Sequence, residues 1–153
     1  MKRDEHCTCS LGETLHQNGH VMEILKNPTF FAQLAIGLFL AIVFIQSSLD
    51  KIMDWKGNTE WLTSHFANTP LASGVVPMTA VITVVELATG LIALWGLWCL
   101  IGCSDPSCIL YAIYLSLLAY SMLLFGQRVA KDYVGAQTIT VYFGVSLVSL
   151  LFF

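Results

Sequence analysis

Hydrophobic residues along the chain fall into four long runs that are separated by short polar segments. The runs are "FFAQLAIGLFLAIVFIQSSL" (30–49), "VVPMTAVITVVELATGLIALWGLWCLIG" (75–102), "CILYAIYLSLLAYSMLLFG" (108–126) and "VGAQTITVYFGVSLVSLLFF" (134–153). A helix of about 20 apolar residues crosses the roughly 30 Å hydrocarbon core of a bilayer. Each run is therefore predicted to be a transmembrane helix.

The links between the runs indicate how the helices are arranged. The segments "GCSDPSC" and "GQRVAKDYVG" join consecutive spans through a few residues, and links this short place neighbouring helices antiparallel. The predicted fold class is all-α, an integral-membrane up-and-down four-helix bundle. The predicted organisation is a polar N-terminal head at 1–28 and a transmembrane domain at 29–153, with an interfacial segment at 50–74.

Two local signals refine this outline. Asn27 followed by Pro28 predicts the start of the first span, because Asn is a good N-cap and Pro fits a first helical turn. Within the interfacial segment, Trp61 and His65 recur at helical spacing. This spacing predicts a short helix that lies along the bilayer surface with its aromatic side chains at headgroup level.

Composition agrees with a membrane protein. Hydrophobic residues make up 56% of the chain and charged residues 11%, against roughly 25% charged residues in soluble domains, and the mean hydropathy is +0.72. The net charge of -3 comes without a basic cluster, which excludes nucleic acid as a partner and leaves membrane lipids. No small-residue cleavage site follows the first run, so that span is expected to be retained.

Four spans place both termini on the same side of the membrane. Basic residues close to helix ends favour the cytoplasmic side. Those on the side opposite the termini are Lys51, Lys56, Arg128 and Lys131, whereas the terminal side has Lys26 and the more distant Lys2 and Arg3. This four-to-three balance leans towards termini outside the cytoplasm.

Glu86 is the one charged residue of the second run. A charge inside a bilayer costs several kcal/mol, so Glu86 is predicted to face the bundle interior. Matching depths along antiparallel spans makes Tyr114, Ser116 and Tyr142 candidate donors to its carboxyl group. Without a cation at that depth, desolvation favours the neutral acid. These residues are the predicted binding site for a lipid or quinone, while proton transfer and a structural hydrogen bond between helices stay open.

A second polar group lies at the other side of the bundle from the termini. Asp50 and Lys51 end the first span, and Arg128, Lys131 and Asp132 surround the third link. Asp50 is predicted to form interfacial ion pairs with Arg128 or Lys131. Such pairs are partly solvated and stabilise little, so ordinary charges at helix ends are the alternative.

All five cysteines map to the terminal side of the membrane. Cysteine and histidine side chains suit soft metals, and the candidates are His6, Cys7, Cys9, Cys103 and Cys108. Their spacing fits no standard zinc pattern, so the metal stays unassigned. Cys103 and Cys108 could form a disulfide on an oxidising side and would stay thiols in the cytoplasm. No haem is expected, because no two spans present facing histidines.

Three segments of the chain resemble the DoxX family of small four-helix membrane proteins. They are "IQSSLDKIMDW", "VVELATGLIALWGLW" and "LLFGQRVAKDYVGAQ", and the resemblance covers about residues 30–153. The residues that match are Leu49, Asp50, Lys51, Glu86, Gly90, Gly96 and Gln137. The resemblance implies a protein of the bacterial inner membrane that is linked to respiration or redox stress and acts in an accessory role.

The function predicted from these observations is that of an accessory subunit in a larger, redox-linked membrane complex. It would bind lipid or quinone near Glu86, and no catalytic residue is assigned. The alternative is a thiol- and quinone-dependent membrane oxidoreductase that uses the clustered cysteines. A small transporter or a proton pathway through Glu86 is a third class.

Overall fold

The computed structural model describes residues 27–153, and every regular element among them is helical. The helices are α1 (Pro28–Met53), α2 (Trp55–His65), α3 (Val75–Cys103), α4 (Ser107–Val129) and α5 (Tyr133–Ser149), with 3-10 turns at Ala72–Gly74 and Leu150–Phe152. The predicted all-α fold class is confirmed. The candidate metal ligands His6, Cys7 and Cys9 lie outside the described residues.

Four of these helices are long and apolar enough to cross a membrane. They are α1, α3 extended by its preceding 3-10 turn, α4, and α5 extended by its following turn. Their number and composition are those of a multi-pass membrane protein. The fifth helix, α2, is the short helix predicted within the interfacial segment, and it connects the first span to the second.

The spans pack in an up-and-down order. The main contacts join α1 to α3, α3 to α4 and α4 to α5, whereas α1 and α5 touch at few positions. One of those positions is at the end of the chain, where the Gln33 side-chain amide donates a hydrogen bond of 2.7 Å to the carbonyl of Phe152. This bond ties the start of the first span to the end of the fourth.

Two glycines of α3 bring neighbouring backbones into close contact. A Cβ atom added at Gly90 would lie 3.0 Å from the backbone nitrogen of Ile45 in α1, and one added at Gly96 would lie 2.8 Å from that of Ile109 in α4. Small residues allow this approach between membrane helices. The Gly90 contact also sets the register, since it places Glu86, one turn earlier, opposite the last turns of α1.

The first span begins where the sequence predicts and continues beyond its apolar run. The Asn27 side chain accepts a hydrogen bond from the Thr29 backbone at 3.0 Å, with Pro28 at the first helical position. The apolar run ends at residue 49, and α1 continues past it to Met53. Lys51 therefore belongs to the helix, and its side chain reaches towards α3.

The link between α3 and α4 is a tight turn, as its Gly, Asp and Pro residues predict. Ser104 adopts a left-handed backbone conformation with φ of 54°, and the Asp105 carboxylate accepts a hydrogen bond of 3.0 Å from the Ser107 backbone N–H. Hydrogen bonds from the side chain and backbone of Ser107 hold the pKa of Asp105 below its usual value. The turn makes α3 and α4 antiparallel neighbours.

Candidate functional site

Glu86 and Lys51 form an ion pair inside the bundle. Lys51 Nζ lies 2.8 Å from Glu86 Oε2, and the Glu86 side chain is 1% exposed whereas that of Lys51 is 18% exposed. A carboxylate this buried needs a partner of opposite charge, because the desolvation of an ion costs several kcal/mol of free energy. Lys51 supplies that charge, and its long stem lets the ammonium group stay partly open to the surroundings.

Ser47 completes the hydrogen bonding of the pair. Its hydroxyl donates to Glu86 Oε1 at 3.2 Å and accepts a hydrogen bond from Lys51 Nζ at 2.6 Å. Lys51 Nζ also donates to the backbone carbonyl of Ser47 at 3.2 Å. The ammonium group has three hydrogens, and each has an acceptor. The three side chains thus form a closed cluster with no net charge.

Local sequence explains why these three side chains meet. Ser47 and Lys51 are four residues apart on α1, and residues at this spacing lie on one helical face. Glu86 is four residues before Gly90 on α3, so it shares the face that packs against α1. The ion pair therefore follows from the four-residue spacing on each of the two helices and from the close contact at Gly90.

The predicted donors to Glu86 lie elsewhere. Tyr114 is 52% exposed on the outer surface, and the Ser116 hydroxyl donates to the backbone carbonyl of Ile113 at 2.8 Å. The Tyr142 ring packs edge-on against Phe39, with 5.7 Å between ring centroids. In the described part of the chain, the donors to Glu86 are Ser47 and Lys51 instead.

The reason for this correction is the position of Glu86 along its helix. The depth matching placed Glu86 close to the middle of its span, but α3 runs from Val75 to Cys103, and Glu86 is closer to the first of these residues. It therefore meets the end of α1 and not its middle. The same position brings Glu86 to a cation, Lys51, which the depth matching did not place beside it.

The predicted interfacial ion pairs of Asp50 do not occur within residues 27–153. The two ion pairs there are Lys51–Glu86 and the exposed pair of Lys56 with Glu60, which are 4.0 Å apart. Asp50 lies on the outer side of α1, where it lines a shallow groove with apolar residues. Of the residues predicted to form interfacial pairs, Lys51 is the one that is paired, and its partner is Glu86.

The charged residues around the last link shape the link itself. The Arg128 guanidinium lies over the Tyr133 ring, 5.1 Å from its centroid. Lys131 adopts a left-handed conformation with φ of 61° after α4 ends. Asp132 caps α5 by accepting a hydrogen bond of 3.0 Å from the Gly135 backbone. These three residues thus lie in or beside the turn between α4 and α5, and none of them pairs with Asp50 within residues 27–153.

A cavity of about 490 Å³ opens beside Lys51, at the end of the bundle where α2 lies. Its walls come from α2 and the loop after it, from the first turns of α3 and from the last turns of α4. The lining residues are Lys51, Asn58, Trp61, Leu62, Phe66, Leu71, Val75, Pro77, Met78, Thr79, Val81, Ile82, Met122, Leu123, Gly126 and Gln127. Most of them are apolar, so the cavity has a largely apolar interior with one lysine side chain in its wall.

Polar groups in the cavity wall are few. Among the described lining residues, Lys51 is the one that carries a charge. The Thr79 hydroxyl donates to the Val75 carbonyl of its own helix at 2.8 Å, so it is engaged there. The amides of Asn58 and Gln127 are the other polar side chains of the wall. A ligand headgroup in this cavity would therefore meet Lys51 and these two amides.

Helix α2 contributes an aromatic wall to the cavity. The Trp61 ring stacks on His65, with centroids 4.9 Å apart and 14° between planes, and Phe66 meets His65 edge-on at 5.5 Å. His65 Nε2 is buried and has no hydrogen-bond partner among residues 27–153. The helical face predicted for Trp61 and His65 thus exists, and Trp61 lines the cavity.

A second polar cluster, which the sequence reasoning missed, lies in the bundle interior. Tyr120 is 2% exposed, and it lies close enough to Tyr142 and Glu86 to interact with them electrostatically. Ser146 of α5 is beside the Tyr120 hydroxyl. Both hydroxyls are buried without a hydrogen bond of standard geometry within residues 27–153. Tyr120 lies in an apolar run that also contains Tyr111 and Tyr114, and nothing in that pattern distinguished it.

The cysteines of the described region lie far from this site. Cys99 is buried, Cys103 is exposed and Cys108 is half-buried. A disulfide between Cys103 and Cys108 on an oxidising side, and thiols in the cytoplasm, both stay predictions. Residues 27–153 hold no group of three or more His, Cys, Asp or Glu side chains placed to bind a metal. From Ile82 at the cavity to Cys103, α3 rises about 30 Å.

Comparisons of the chain with protein-family models, with curated proteins and with solved structures return no match, so the resemblance to the DoxX family stays a prediction.

Proposed function

We propose that this protein is an integral-membrane accessory subunit that binds a lipid or a quinone in the cavity beside Lys51. The observation that carries the proposal is the cavity itself, about 490 Å³ in volume, lined mostly by apolar residues and by Lys51. Its volume falls in the usual range for small-molecule sites, which combine apolar walls with a few polar groups.

Membrane amphiphiles fit this site better than water-soluble metabolites do. The apolar walls formed by Leu62, Met78 and Leu123 would bury hydrocarbon, and burial of hydrocarbon stabilises the complex in proportion to area. Lys51, Asn58 and Gln127 would meet a polar headgroup. The cavity also lies near the end of the spans, at the level where bilayer headgroups would reside.

An accessory role is the interpretation that the site supports best. Ser47, Lys51 and Glu86 are hydrogen-bonded to one another. The cluster therefore does not contain a general base poised to activate a nucleophile. The segments that resemble the DoxX family support a place in a redox-linked complex of the bacterial inner membrane. We therefore assign ligand binding to this chain and leave the chemistry to a partner.

The alternative, a thiol- and quinone-dependent oxidoreductase, finds less support in the geometry. Cys103 and Cys108 lie at the opposite ends of α3 and α4 from the cavity, about 30 Å along the helix axis. A thiol that reduces a ligand must approach it to contact distance. The cavity and these cysteines therefore cannot form one active site within this chain.

Mild-detergent purification followed by mass spectrometry tests the proposal. The native protein is expected to carry one lipid or quinone species at about one per chain, together with stoichiometric partner proteins. Gly126→Leu is expected to lose the bound species. A Cβ atom at Gly126 would lie 3.8 Å from Phe66 Cζ, which is ordinary contact, so the longer leucine side chain would occupy the cavity without forcing the backbone apart.

Gly144→Leu is the matched control, because a Cβ atom at Gly144 would meet nothing within 4 Å. This variant should retain the bound species. A native protein that purifies alone, without any enriched lipid or quinone, would contradict the proposal. Equal retention in all three proteins would show that the bound species lies outside the cavity.

A further inference from the structure

The charges around the cavity indicate which headgroups it accepts. Lys51 is the charged residue of the described wall, and Glu86 lies directly behind it, 2.8 Å from the ammonium nitrogen. A cationic headgroup at the wall would meet the ammonium group first and be repelled. An anionic headgroup would be attracted by Lys51 but repelled by Glu86, so the pair offers it little net attraction.

A neutral headgroup avoids both penalties. The ion pair still presents N–H donors, and an uncharged acceptor such as an ester or ketone carbonyl can accept one without adding charge to a desolvated site. An additional anion there would be a third ion of uncompensated charge, which costs far more in an apolar site than at a solvated surface.

Lys51 can also exchange one of its hydrogen-bond acceptors for a ligand atom at a small cost in free energy. Its longest hydrogen bond, 3.2 Å, goes to the Ser47 backbone carbonyl. That carbonyl belongs to α1 four residues before Lys51, so the helix's own N–H to carbonyl ladder already supplies it with a donor. A ligand carbonyl could therefore replace this contact and leave no buried acceptor without a partner.

We propose that Glu86 determines the charge of the ligand: it neutralises Lys51, so that the cavity selects an uncharged amphiphile whose carbonyl accepts a hydrogen bond from Lys51. This inference rests on the proposed function, because it requires that the cavity binds an amphiphile. It assigns Glu86 a role in specificity that needs no contact between Glu86 and the ligand. Removal of the Glu86 charge should convert the site into one that selects anions.

Trp61 reports occupancy because it lines the cavity. It is also 57% exposed, so probe outside the cavity adds a non-saturating background. The chain has three other tryptophans, Trp55, Trp95 and Trp98, and their replacement by Phe leaves Trp61 as the single fluorophore. Three probes that share a dibromostearoyl chain and its carbonyl would be added to this protein in micelles. They differ in headgroup charge: the glycerol ester is neutral, the taurine amide is anionic and the choline ester is cationic.

The native site is expected to bind the glycerol ester most tightly, with half-saturation of quenching at roughly a tenfold lower concentration than for either charged probe. In Glu86→Gln the taurine amide should become the tightest ligand, by a similar factor. The ranking in the single-Trp61 protein decides the matter even if Glu86→Gln fails to fold. The double variant Lys51→Met with Glu86→Gln has no charged residue at this position, so the neutral and anionic probes should reach half-saturation at similar concentrations.

A protein that retains Trp98 alone is the control, because this residue is 70% exposed at the opposite end of α3. Its quenching should rise without saturation for all three probes. If the taurine amide binds the native site as tightly as the glycerol ester, or if Glu86→Gln leaves the ranking unchanged, the inference about charge is overturned while ligand binding stands. If no probe quenches Trp61 differently from Trp98, the proposed function fails as well.

Discussion

Replacement of Lys51 by methionine is expected to destabilise the protein by about 3 kcal/mol, because it leaves the buried Glu86 without its cation. The Glu86 side chain is 1% exposed, so water cannot replace the lost partner. Ser47 would remain as its only hydrogen-bond donor among those seen here. Unfolding in detergent micelles, followed by circular dichroism against added SDS, measures this loss.

Two variants make the comparison specific. Lys51→Met combined with Glu86→Gln removes both charges and should recover most of the lost stability, since replacing both partners leaves no ion buried alone. Lys56→Met is the matched control, because the pair of Lys56 with Glu60 is exposed and 4.0 Å apart. It should change stability little. Equal losses in Lys51→Met and Lys56→Met would contradict the assignment of a buried ion pair.

Gly96→Ala is expected to cost about 2 kcal/mol through overpacking between α3 and α4. The added Cβ atom would lie 2.7 Å from Ile109 Cγ1, 2.8 Å from Ile109 N and 3.1 Å from the carbonyl carbon of Cys108. Two of these three atoms belong to the backbone of α4, which cannot move aside by a change of rotamer. The helices must separate, and the same unfolding measurement reports the cost.

Gly144→Ala is the control for this substitution, since it changes the same residue type where the added atom has no neighbour within 4 Å. Alanine is favoured over glycine within a helix by roughly 0.5–1 kcal/mol, so this variant should be as stable as the native protein or slightly more stable. If Gly96→Ala were also neutral, the close packing of α3 on α4 would be contradicted.

The spans were predictable because each rests on one strong signal, a run of apolar residues long enough for a bilayer. The start of α1 was equally readable, since Asn27 and Pro28 are chemically suited to begin a helix. Its end was not. The charges of Asp50 and Lys51 indicated a solvated or interfacial position, but Lys51 is helical and its charge pairs with Glu86 of α3.

The candidate site was predicted in pieces. Glu86 was recognised as a buried group in need of a partner, and Lys51 was recognised as a residue at the end of a span. The sequence offered no means to join them, because pairing depends on the register between α1 and α3. That register is set by the contact of Gly90 with Ile45, and a glycine at a helix contact does not reveal which residue lies opposite.

The cavity was harder still to foresee. It is formed by α2, the start of α3 and the end of α4, which are separated along the chain and meet only in the folded bundle. Trp61 was expected at the bilayer surface on account of its amphipathic ring, and its role as a wall of the cavity follows from tertiary packing. The residue pattern of a single helix does not indicate a cavity that several helices form together.

Photo-crosslinking in native membranes tests the central claim, that this cavity holds an amphiphile beside Lys51. A neutral acylglycerol that carries a diazirine on its chain would be added to membranes containing the protein, activated by light, and mapped by peptide mass spectrometry. The account predicts that label concentrates on the cavity walls, in α2 and the first turns of α3, and that Gly126→Leu removes it from there. Uniform labelling of the exposed surface, with Trp98 and Tyr111 labelled as strongly as Trp61, would contradict it.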